Sequence, residues 1–568
     1  MTEALNTLTS LDWRSANGAL VAAAAAATGI YVANRLLTPE DKEAEKFKKL
    51  NKLPSPPGAL PIIGHLFSVG KSPHIKFSEW SKTLGPIYSV KMGSSRTWVI
   101  HNSPEVIREI LDRRGATYSD RMSWDVLDAA SANGIMWGLA QNGPYLRMWR
   151  KHTNNTISKS KLEKEYSQVF ITQSKQLLLN LLEKGNEPEG INPSDEMYLY
   201  SVEPSVVSHS KSSTSSLPVQ INLMSSILFN KTFTKDDPDF KAMIQIAVEF
   251  LQILSDVTME LFPFLSPFLR SQVHNARLLQ LEVQKVFGKY VEEVRQARKD
   301  GNERNCACNE YLKAQETDNE NGLMEDIAIY NSCGGLIFAG KFSHLPHIFN
   351  FTSATPLTPF LSPGIDTSSI VLLNGISILA SHPNIQERAF AEIKDNIGLD
   401  RLPRDTDEGR LPYTRAILTE ILRFRPPLWL GVPHSNTKDE EYEGYHIPAK
   451  SAHVINSYAI HFNPEIYPDP YTFKPERHLE EDVGNIRQHY AFGAGRRICP
   501  GSFLAEKSVF ILILRIVQVF RIEPPLDAQG NPVEVPLPDV TVTQPGMPNF
   551  KVRFVPRHDD VKSMCRDD

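Results

Sequence analysis

A cysteine near the C-terminus lies in a segment whose residue types suit a metal ligand. Residues 492–501 read Phe-Gly-Ala-Gly-Arg-Arg-Ile-Cys-Pro-Gly, and an apolar run with helical spacing follows from 503 to 520. Backbone N–H groups and the dipole of a helix N-terminus stabilise a thiolate, so Cys499 is a candidate ligand. The glycines let the backbone approach a flat ligand, and Arg496 or Arg497 could hold an anionic group beside it. This combination indicates thiolate ligation of haem iron; the alternative is a buried structural cysteine.

With motifs upstream of it, this segment resembles the cysteine loop of the cytochrome P-450 family, the haem-thiolate monooxygenases, and in particular the membrane-anchored microsomal type and its fungal members. The resemblance runs from about residue 54 to the end of the chain. Glu420 and Arg423 resemble the family's Glu-x-x-Arg pair, whose spacing puts both charges on one helix face. Residues 467–470 and 475–477 resemble the meander segment of the family. Arg477, in this segment, would complete a Glu420–Arg423–Arg477 network. The resemblance implies that this network supports folding rather than catalysis.

The resemblance also implies how the cofactor is held. Cys499 would be the axial ligand of the iron of haem b. Trp149 resembles the tryptophan of a Trp-x-x-x-Arg helix that contacts a haem propionate, but Thr153 occupies the arginine position. That contact is therefore absent or supplied by Arg150 or His152. His434 would face a propionate. The alternative for Trp149 is a tryptophan of the core, and the alternative for His434 is an exposed loop histidine. The residues expected to bind the cofactor are Phe492, Gly493, Arg497, Cys499, Gly501, Trp149 and His434.

The oxygen-activation motif is interrupted in this sequence. The family's long helix carries Ala-Gly-x-Asp-Thr, of which residues 339–340 supply the start and Ile365, Asp366 and Thr367 the remainder. The resemblance assigns proton relay to Asp366 and Thr367. The intervening residues 341–364 contain four prolines and no acidic residue, and prolines cannot continue an α-helix. We therefore expect one helix from 324 to 340 and another from 365 to 380.

Two explanations remain open for residues 341–364. Either the segment is an intervening sequence retained in the gene, since its removal restores the motif, or it is a genuine insertion that loops out from the haem pocket. A second suspected insert, residues 204–220, is rich in serine and has no acidic residue. A low-complexity surface loop is an equally good interpretation of that second segment.

The N-terminus has the pattern of a membrane anchor. Residues 15–34 carry no formal charge and would span about 30 Å as a helix, whereas residues 35–52 carry six basic side chains. The positive-inside rule then places the rest of the chain in the cytosol, on the endoplasmic reticulum membrane. A buried alanine-rich helix is the alternative. We expect residues 1–38 to form a lumenal tail and a single transmembrane helix, and residues 39–60 to form a basic and proline-rich linker.

Composition limits the class of protein. The chain has 568 residues, a net charge of −5, 41% hydrophobic residues, 22% charged residues and five cysteines. These values exclude a disordered chain, a multi-span membrane protein and a disulfide scaffold, and they disfavour nucleic acid as a partner. Length alone suggests three or four domains, but no interdomain linker is evident. We expect one mainly α-helical haem domain with small β-sheets over residues 61–568, with helical periodicity at 240–254, 277–299 and 383–397.

The resemblance implies insertion of one atom of O₂ into an apolar small molecule. Because the sequence contains no flavin or nicotinamide motif, electrons from NADPH would arrive through a flavoprotein reductase on the same membrane. Residues 122–138 would form pocket walls, although ordinary packing explains them equally. Two other classes stay open: a haem-thiolate lyase or isomerase that needs no external electrons, and a product made inactive by the interrupted helix.

Overall fold

The computed structural model describes residues 47–94, 96–194, 219–234, 237–317, 322–340, 367–479, 487–542, 549–558 and 560–565. These residues form two units. The small unit contains the described residues up to Leu53 together with Asp439–Ile447, and the large unit contains Pro54–Lys438 and the residues from Pro448 onward. The N-terminal anchor, Asp366 and both suspected inserts, except residues 219–220 of the first, lie outside the described residues.

Helices make up most of the large unit. The longest of them have apolar residues on buried faces, and several begin with proline in the first turn, where its missing N–H leaves no bond unmade. In chain order the α-helices are α1 (Leu66–Val69), α2 (Pro73–Leu84), α3 (Pro104–Ile107), α4 (Asp125–Ala130), α5 (Pro144–Thr156), α6 (Lys159–Lys164), α7 (Ser167–Lys184), α8 (Val219–Phe229), α9 (Pro238–Ser255), α10 (Thr258–Leu261), α11 (Arg270–Lys299), α12 (Ala307–Thr317), α13 (Asp326–Gly340), α14 (Thr367–Ser381), α15 (Pro383–Ile397), α16 (Pro412–Phe424), α17 (Ser457–His461), α18 (Ser502–Val519) and α19 (Val561–Met564).

The strands form small sheets. In chain order they are β1 (Asn51–Lys52), β2 (Ile87–Met92), β3 (Arg96–His101), β4 (Asp120–Arg121), β5 (His434–Ser435), β6 (Glu440–Tyr442), β7 (Tyr445–Ile447), β8 (Ala452–Ile455), β9 (Phe520–Glu523) and β10 (Arg553–Pro556). The large unit holds a sheet of order β2-β3-β8-β5-β4 and an antiparallel β9–β10 pair, and the small unit holds the β1-β7-β6 sheet. In the β4–β5 pair, Arg121 lies opposite His434.

Two apolar clusters form the core of the large unit. One joins the β2–β3–β8 face of the sheet to α8, α9, α11, α12 and α13. The other surrounds α14, α16 and α18 and includes Leu373, Ile421 and Leu514. Gly375 lets α14 approach α16, because a Cβ there would lie 2.9 Å from Ile421 Cδ1. The second cluster therefore supports both the helix that starts at Thr367 and the helix that follows the cysteine segment.

The observed helices agree closely with those expected from the sequence. α15 has the predicted bounds, α18 differs by one residue at each end, and α13 starts two residues later than expected, while α14 is described from Thr367 onward. α11 starts at Arg270, seven residues before the predicted start, because its first residues are mostly polar and conceal the helical period. In the described part of the chain, Pro238–Leu261 is long and apolar enough to cross a membrane by length and composition. Its Phe240 and Phe250 are buried in the first apolar cluster, as in a core helix.

Candidate functional site

The segment that carries Cys499 is a loop closed by backbone hydrogen bonds. Cys499 N–H donates to the carbonyl oxygen of Phe492 at 2.9 Å, and Gly493 N–H donates to Tyr490 O at 3.0 Å. A 3-10 turn over Gly495–Arg497 precedes the cysteine, and α18 begins three residues after it. The loop therefore holds Cys499 at the entrance to a helix, as the sequence predicts.

One glycine of the loop is required by its surroundings. Gly495 has φ +65°, and a Cβ on it would lie 2.2 Å from the carbonyl oxygen of Leu111. Its N–H donates to Asp112 Oδ1 at 2.7 Å. Any larger residue would displace the loop from the π-helical turn Arg108–Arg113, because both the conformation and the space are restricted to glycine.

The environment of the Cys499 sulfur opposes a free thiolate. Burial raises the pKa of the Cys499 thiol, and the Gly501 N–H and the Arg150 guanidinium offset this only in part. Arg150 also donates to Ile498 O at 3.0 Å, which ties α5 to the loop. A bound cation would hold the sulfur as thiolate despite burial, since coordination deprotonates a thiol. This sulfur thus suits a metal ligand better than a free nucleophile.

Three guanidinium groups converge beside the loop. Arg497 donates from Nε to Ser119 O at 2.7 Å and from Nη2 to Ala140 O. Arg121, on β4, donates from Nη1 to Val432 O at 2.7 Å. Burial, then Arg497 and Arg150, lower the pKa of Arg121. Burial, then Arg150, lower the pKa of Arg497 to about 10.

These cations lack a negative partner of their own. Within the described residues no carboxylate forms an ion pair with Arg121, Arg150 or Arg497. Asp120 lies near Arg497 and raises its pKa, but its Oδ1 accepts the Asn142 N–H at 2.8 Å. Buried charges are ordinarily paired, so a site with several guanidiniums and only carbonyl acceptors is suited to an anionic ligand.

His434 and Trp149 lie in different surroundings. His434 is buried, and its Nδ1–H donates to Tyr118 O at 3.0 Å. Burial and Arg121 lower the pKa of His434, so it is a neutral imidazole whose Nε2 is an acceptor. Trp149 is fully buried with its ring edge-to-face on Tyr311 at 5.3 Å, and its Nε1–H makes no hydrogen bond to a described residue.

The Glu420–Arg423–Arg477 contacts form a closed polar network. Arg423 grips Glu420 through two hydrogen bonds of 2.7 Å, and Arg477 Nε donates to Glu420 Oε1 at 3.1 Å. His478 is a further member, with Nε2 at 2.8 Å from Glu420 Oε2. Although burial opposes it, the pKa of Glu420 is lowered to about 2 by hydrogen bonds from Arg423 and His478 and by their charges. Glu420 is therefore ionised and fully partnered inside the protein.

Of the predicted proton-relay pair, Thr367 is described and Asp366 is not. Thr367 is the first residue of α14 and lines a small cavity shared with Phe492 of the cysteine loop, Leu422 of α16 and Val509 of α18. Thr367 therefore lies on the same side of the large unit as the cysteine loop.

Sequence reasoning missed Arg121, His461 and His478. Arg121 lies in no motif, and only the pairing of β4 with β5 brings it opposite His434. His461 and His478 act through hydrogen bonds to backbone groups and to Glu420, respectively. Arg150 and His152 are the two residues expected to replace the family's arginine, and Arg150 lies in the guanidinium group. Thr153, which occupies the arginine position, is buried beside Tyr311.

Comparisons with known proteins give a consistent result. The family profile described as Cytochrome P450 matches residues 54–341 and 354–550. Cytochrome P450 monooxygenase fogE of Aspergillus ruber is 30% identical over 528 residues, which cover 89% of this chain and 87% of that protein. Cytochrome P450 monooxygenase yanC of Aspergillus niger is 27% identical over 508 residues, covering 86% and 85%. The solved structure titled "Zebra fish cytochrome P450 another structure with Abiraterone" superposes with a TM-score of 0.64 at 21% identity, covering 86% of this chain and 100% of that one.

Proposed function

The chain belongs to the cytochrome P450 family, which makes it an oxygenase-type oxidoreductase, and we propose that it inserts one oxygen atom from O₂ into an apolar organic substrate. The family implies haem held by a cysteine thiolate. One observation carries the assignment of that site to this loop: three buried or part-buried guanidiniums that form no ion pair with a described carboxylate lie beside the loop that holds Cys499.

The residues present fit haem. Its two propionates would supply the negative charge that Arg121, Arg150 and Arg497 lack, and the unbonded Nε1–H of Trp149 is a further donor. Phe492, Gly493 and Gly501 would contact the haem, and Cys499 Sγ would be a ligand of its iron. His434 would meet a propionate through Nε2, which requires one shared proton between them because Nδ1 already donates to Tyr118 O.

The chain's own groups position and protect the reaction. Bound haem, with its thiolate ligand, supplies the oxidising chemistry and favours O–O cleavage. Gly501 N–H donates to the Cys499 sulfur and so limits the electron density there. Met136 lies against α13, where a Cβ on Gly335 would be 3.2 Å from its Cγ. Buried apolar residues next to Met136 would exclude water and favour an apolar substrate: Met122, Trp124, Leu127 and Trp137.

Thr367 Oγ1 and the Asp366 carboxylate would move protons to the reacting oxygen. The family profile leaves residues 342–353 unmatched, which supports an added segment inside the block 341–364, although the profile does match residue 341 and residues 354–364. We propose that deletion of 341–364, which joins Gly340 to Ile365, gives equal or greater substrate-dependent NADPH consumption. A deletion protein that binds haem but loses turnover would contradict this.

We propose that NADPH supplies electrons through a flavoprotein reductase that docks beside the cysteine loop. Arg496 is exposed on the loop, and Lys159 Nζ lies over the Phe503 ring at the start of α18. Arg113, on the π-helical turn that meets the loop, is largely exposed. Arg113 pairs with Glu109 and Lys159 Nζ lies 4.0 Å from Glu163, so Arg496 would contribute most of the attraction to an acidic partner, and the association would depend on salt. Arg496→Glu should raise the KM for reductase with little change in the reduced spectrum; the same reversal at Lys285, an exposed residue of α11, serves as the control.

We propose that the chain is anchored in the endoplasmic reticulum membrane by residues 15–34, with 39–60 as linker and 61–568 as a cytosolic haem domain. Exposed apolar side chains in the large unit support contact with a membrane: Leu60, Ile62, Phe67, Phe264 and Phe268. The turn at Gly93 and Ser94 joins their two segments through hydrogen bonds to Ile63 O and Leu261 O. Removal of residues 1–38 should release most of the protein from membranes, and Phe264→Ser with Phe268→Ser should release the rest.

The central test is the ligand. Cys499→Ala should abolish the absorption band of thiolate-ligated, reduced, carbon-monoxide-bound haem. Cys333→Ala, at another buried cysteine, should retain that band. Retention of the band in the Cys499 variant would overturn the assignment. Product formation by the wild-type protein without reductase and NADPH would instead favour a lyase or isomerase.

A further inference from the structure

A buried histidine connects the Glu420 network to the cysteine loop. His461, at the end of α17, has a ring with no solvent exposure. Its Nδ1 lies 2.8 Å from Arg423 O, and its Nε2 lies 2.9 Å from the backbone nitrogen of Tyr490. In return, Arg423 Nη1 donates to His461 O at 2.7 Å. His461 and Arg423 therefore hold each other by two hydrogen bonds, and the imidazole reaches a third segment.

The partners of this ring fix its tautomer. A backbone N–H can only donate, so the Tyr490 N–H makes Nε2 an acceptor without a proton. A carbonyl oxygen can only accept, so Nδ1 carries the proton that goes to Arg423 O. Burial, followed by the neighbouring His489 and Arg423, lowers the pKa of His461, which is consistent with a neutral ring. Protonation or the other tautomer would place two N–H groups face to face at Tyr490.

The bond to Tyr490 reaches the cysteine through a short path. Tyr490 O accepts the Gly493 N–H at 3.0 Å, and Phe492 O accepts the Cys499 N–H at 2.9 Å. A second hydrogen bond to the same segment is donated by Tyr467 Oη to Gln488 O at 2.7 Å. The start of the loop is thus fixed to the segments that carry Arg423 and Tyr467 by hydrogen bonds from His461 and Tyr467.

We propose that His461, as the neutral Nδ1–H tautomer, is a positioning residue that holds the cysteine loop in register with the Glu420–Arg423–Arg477 network and so maintains Cys499 ligation. This inference rests on the proposed ligation by Cys499. Its distinguishing feature is that the two ring nitrogens have separate tasks. Only the acceptor Nε2 faces the loop, whereas Nδ1 faces the network.

Two near-isosteric variants separate these tasks. Gln places its amide oxygen near the position of Nε2, so His461→Gln can still accept from Tyr490 N–H. Asn places its amide nitrogen near Nδ1, so His461→Asn still donates to Arg423 O but leaves the Tyr490 N–H without a partner. Loss of an acceptor from a buried donor costs about 1–1.5 kcal/mol, which is roughly a 10-fold change in rate.

The measurement is the rate at which the thiolate-ligated, carbon-monoxide-bound band disappears in the reduced holoprotein under mild urea. We expect His461→Asn to lose the band about 10-fold faster than wild type and His461→Gln to stay within about 2-fold. His65 is the matched control, since it is buried, its Nδ1 accepts the Lys91 N–H at 3.1 Å and its Nε2 donates to Pro56 O at 2.8 Å, away from the loop. His65→Asn and His65→Gln should give equal rates of band loss.

Three outcomes would overturn the proposal: equal rates for the Asn and Gln variants of His461, faster loss in the Gln variant, or an Nε2–H tautomer in the wild type. Magnetic resonance of isotope-labelled histidine reads the tautomer in the wild-type protein, and so remains decisive if a variant does not fold. Absence of the thiolate band in the wild type would contradict the proposed function itself, which distinguishes the two failures.

Discussion

Two groups of buried and part-buried arginines in this protein differ in the anion that pairs with them. Arg423 and Arg477 meet a carboxylate of the same chain, Glu420, at hydrogen-bond distance. Arg121 and Arg497 meet backbone carbonyl oxygens and, among the described residues, no paired carboxylate. The first group has its carboxylate within the chain and is complete in that sense, whereas the second is complete only with an anion bound. A cluster of guanidiniums that shares no carboxylate of the chain is therefore suited to bind an anion, whereas a lone buried arginine such as Arg425 is satisfied by the carbonyl oxygens of Pro538 and Phe424.

The largest effect should follow from breaking the complete group. Glu420→Gln removes the charge that Arg423 and Arg477 share, and leaving such charges buried should cost about 3–5 kcal/mol in the free energy of unfolding. Glu316→Gln is the control, because Arg298 grips Glu316 with the same two-bond geometry at an exposed site. That control should lose at most about 1 kcal/mol in urea unfolding. Equal losses would erase the distinction between the two groups.

Lowering the pH should remove the stabilisation that the ionised Glu420 carboxylate provides. The pKa of Glu420 is lowered from 4.5 to about 2 in the folded protein, so its stabilisation is complete above about pH 4.5 and is lost as the pH falls toward 2. The contribution at stake is on the order of 3 kcal/mol. The difference in unfolding free energy between wild type and Glu420→Gln should therefore narrow between pH 4.5 and pH 2. A difference that does not change with pH would contradict the ionised state of Glu420.

Substitution in the second group, to which Arg121 and Arg497 belong, should not destabilise the haem-free protein. Arg121→Gln removes one of three mutually repelling cations, so the haem-free protein should keep or gain stability. The same change removes a charge-assisted bond of about 2 kcal/mol to the proposed propionates, and haem should dissociate roughly 30-fold faster. Transfer of haem to an acceptor protein measures this rate. A haem-free Arg121→Gln protein that is strongly destabilised would show that Arg121 is structural.

Trp149→Phe should give the smallest effect. The indole packs on Tyr311, and phenylalanine retains most of that contact, while the Nε1–H has no bond to lose within the described residues. Haem should therefore leave about 10-fold faster, in keeping with the loss of a single hydrogen bond of about 1.5 kcal/mol from a neutral donor to a propionate. An unchanged haem dissociation rate would remove Trp149 from the proposed site.

The sequence predicted elements whose signal is local. The periodicity of α15 gives its bounds, and the apolar runs on either side of residues 341–364 predict α13 and α14, which are helical over the residues that the structure describes. Contacts that depend on tertiary structure were not predictable in the same way. Arg121 bonds to carbonyl oxygens of residues 432 and 433, which any residue type could provide. His461 likewise binds backbone groups, so its role leaves no pattern in the neighbouring residues.

The short β4–β5 pair has a consequence for the order of assembly. Arg121 faces His434 only after two-residue strands more than 300 positions apart have paired, and Arg497 must arrive from a third segment. Contacts of such large sequence separation form late, because loop closure must precede them. Haem capture should therefore coincide with the final closure of the chain. Cofactor uptake would then report on complete folding, and partly folded chains in the cell would remain colourless.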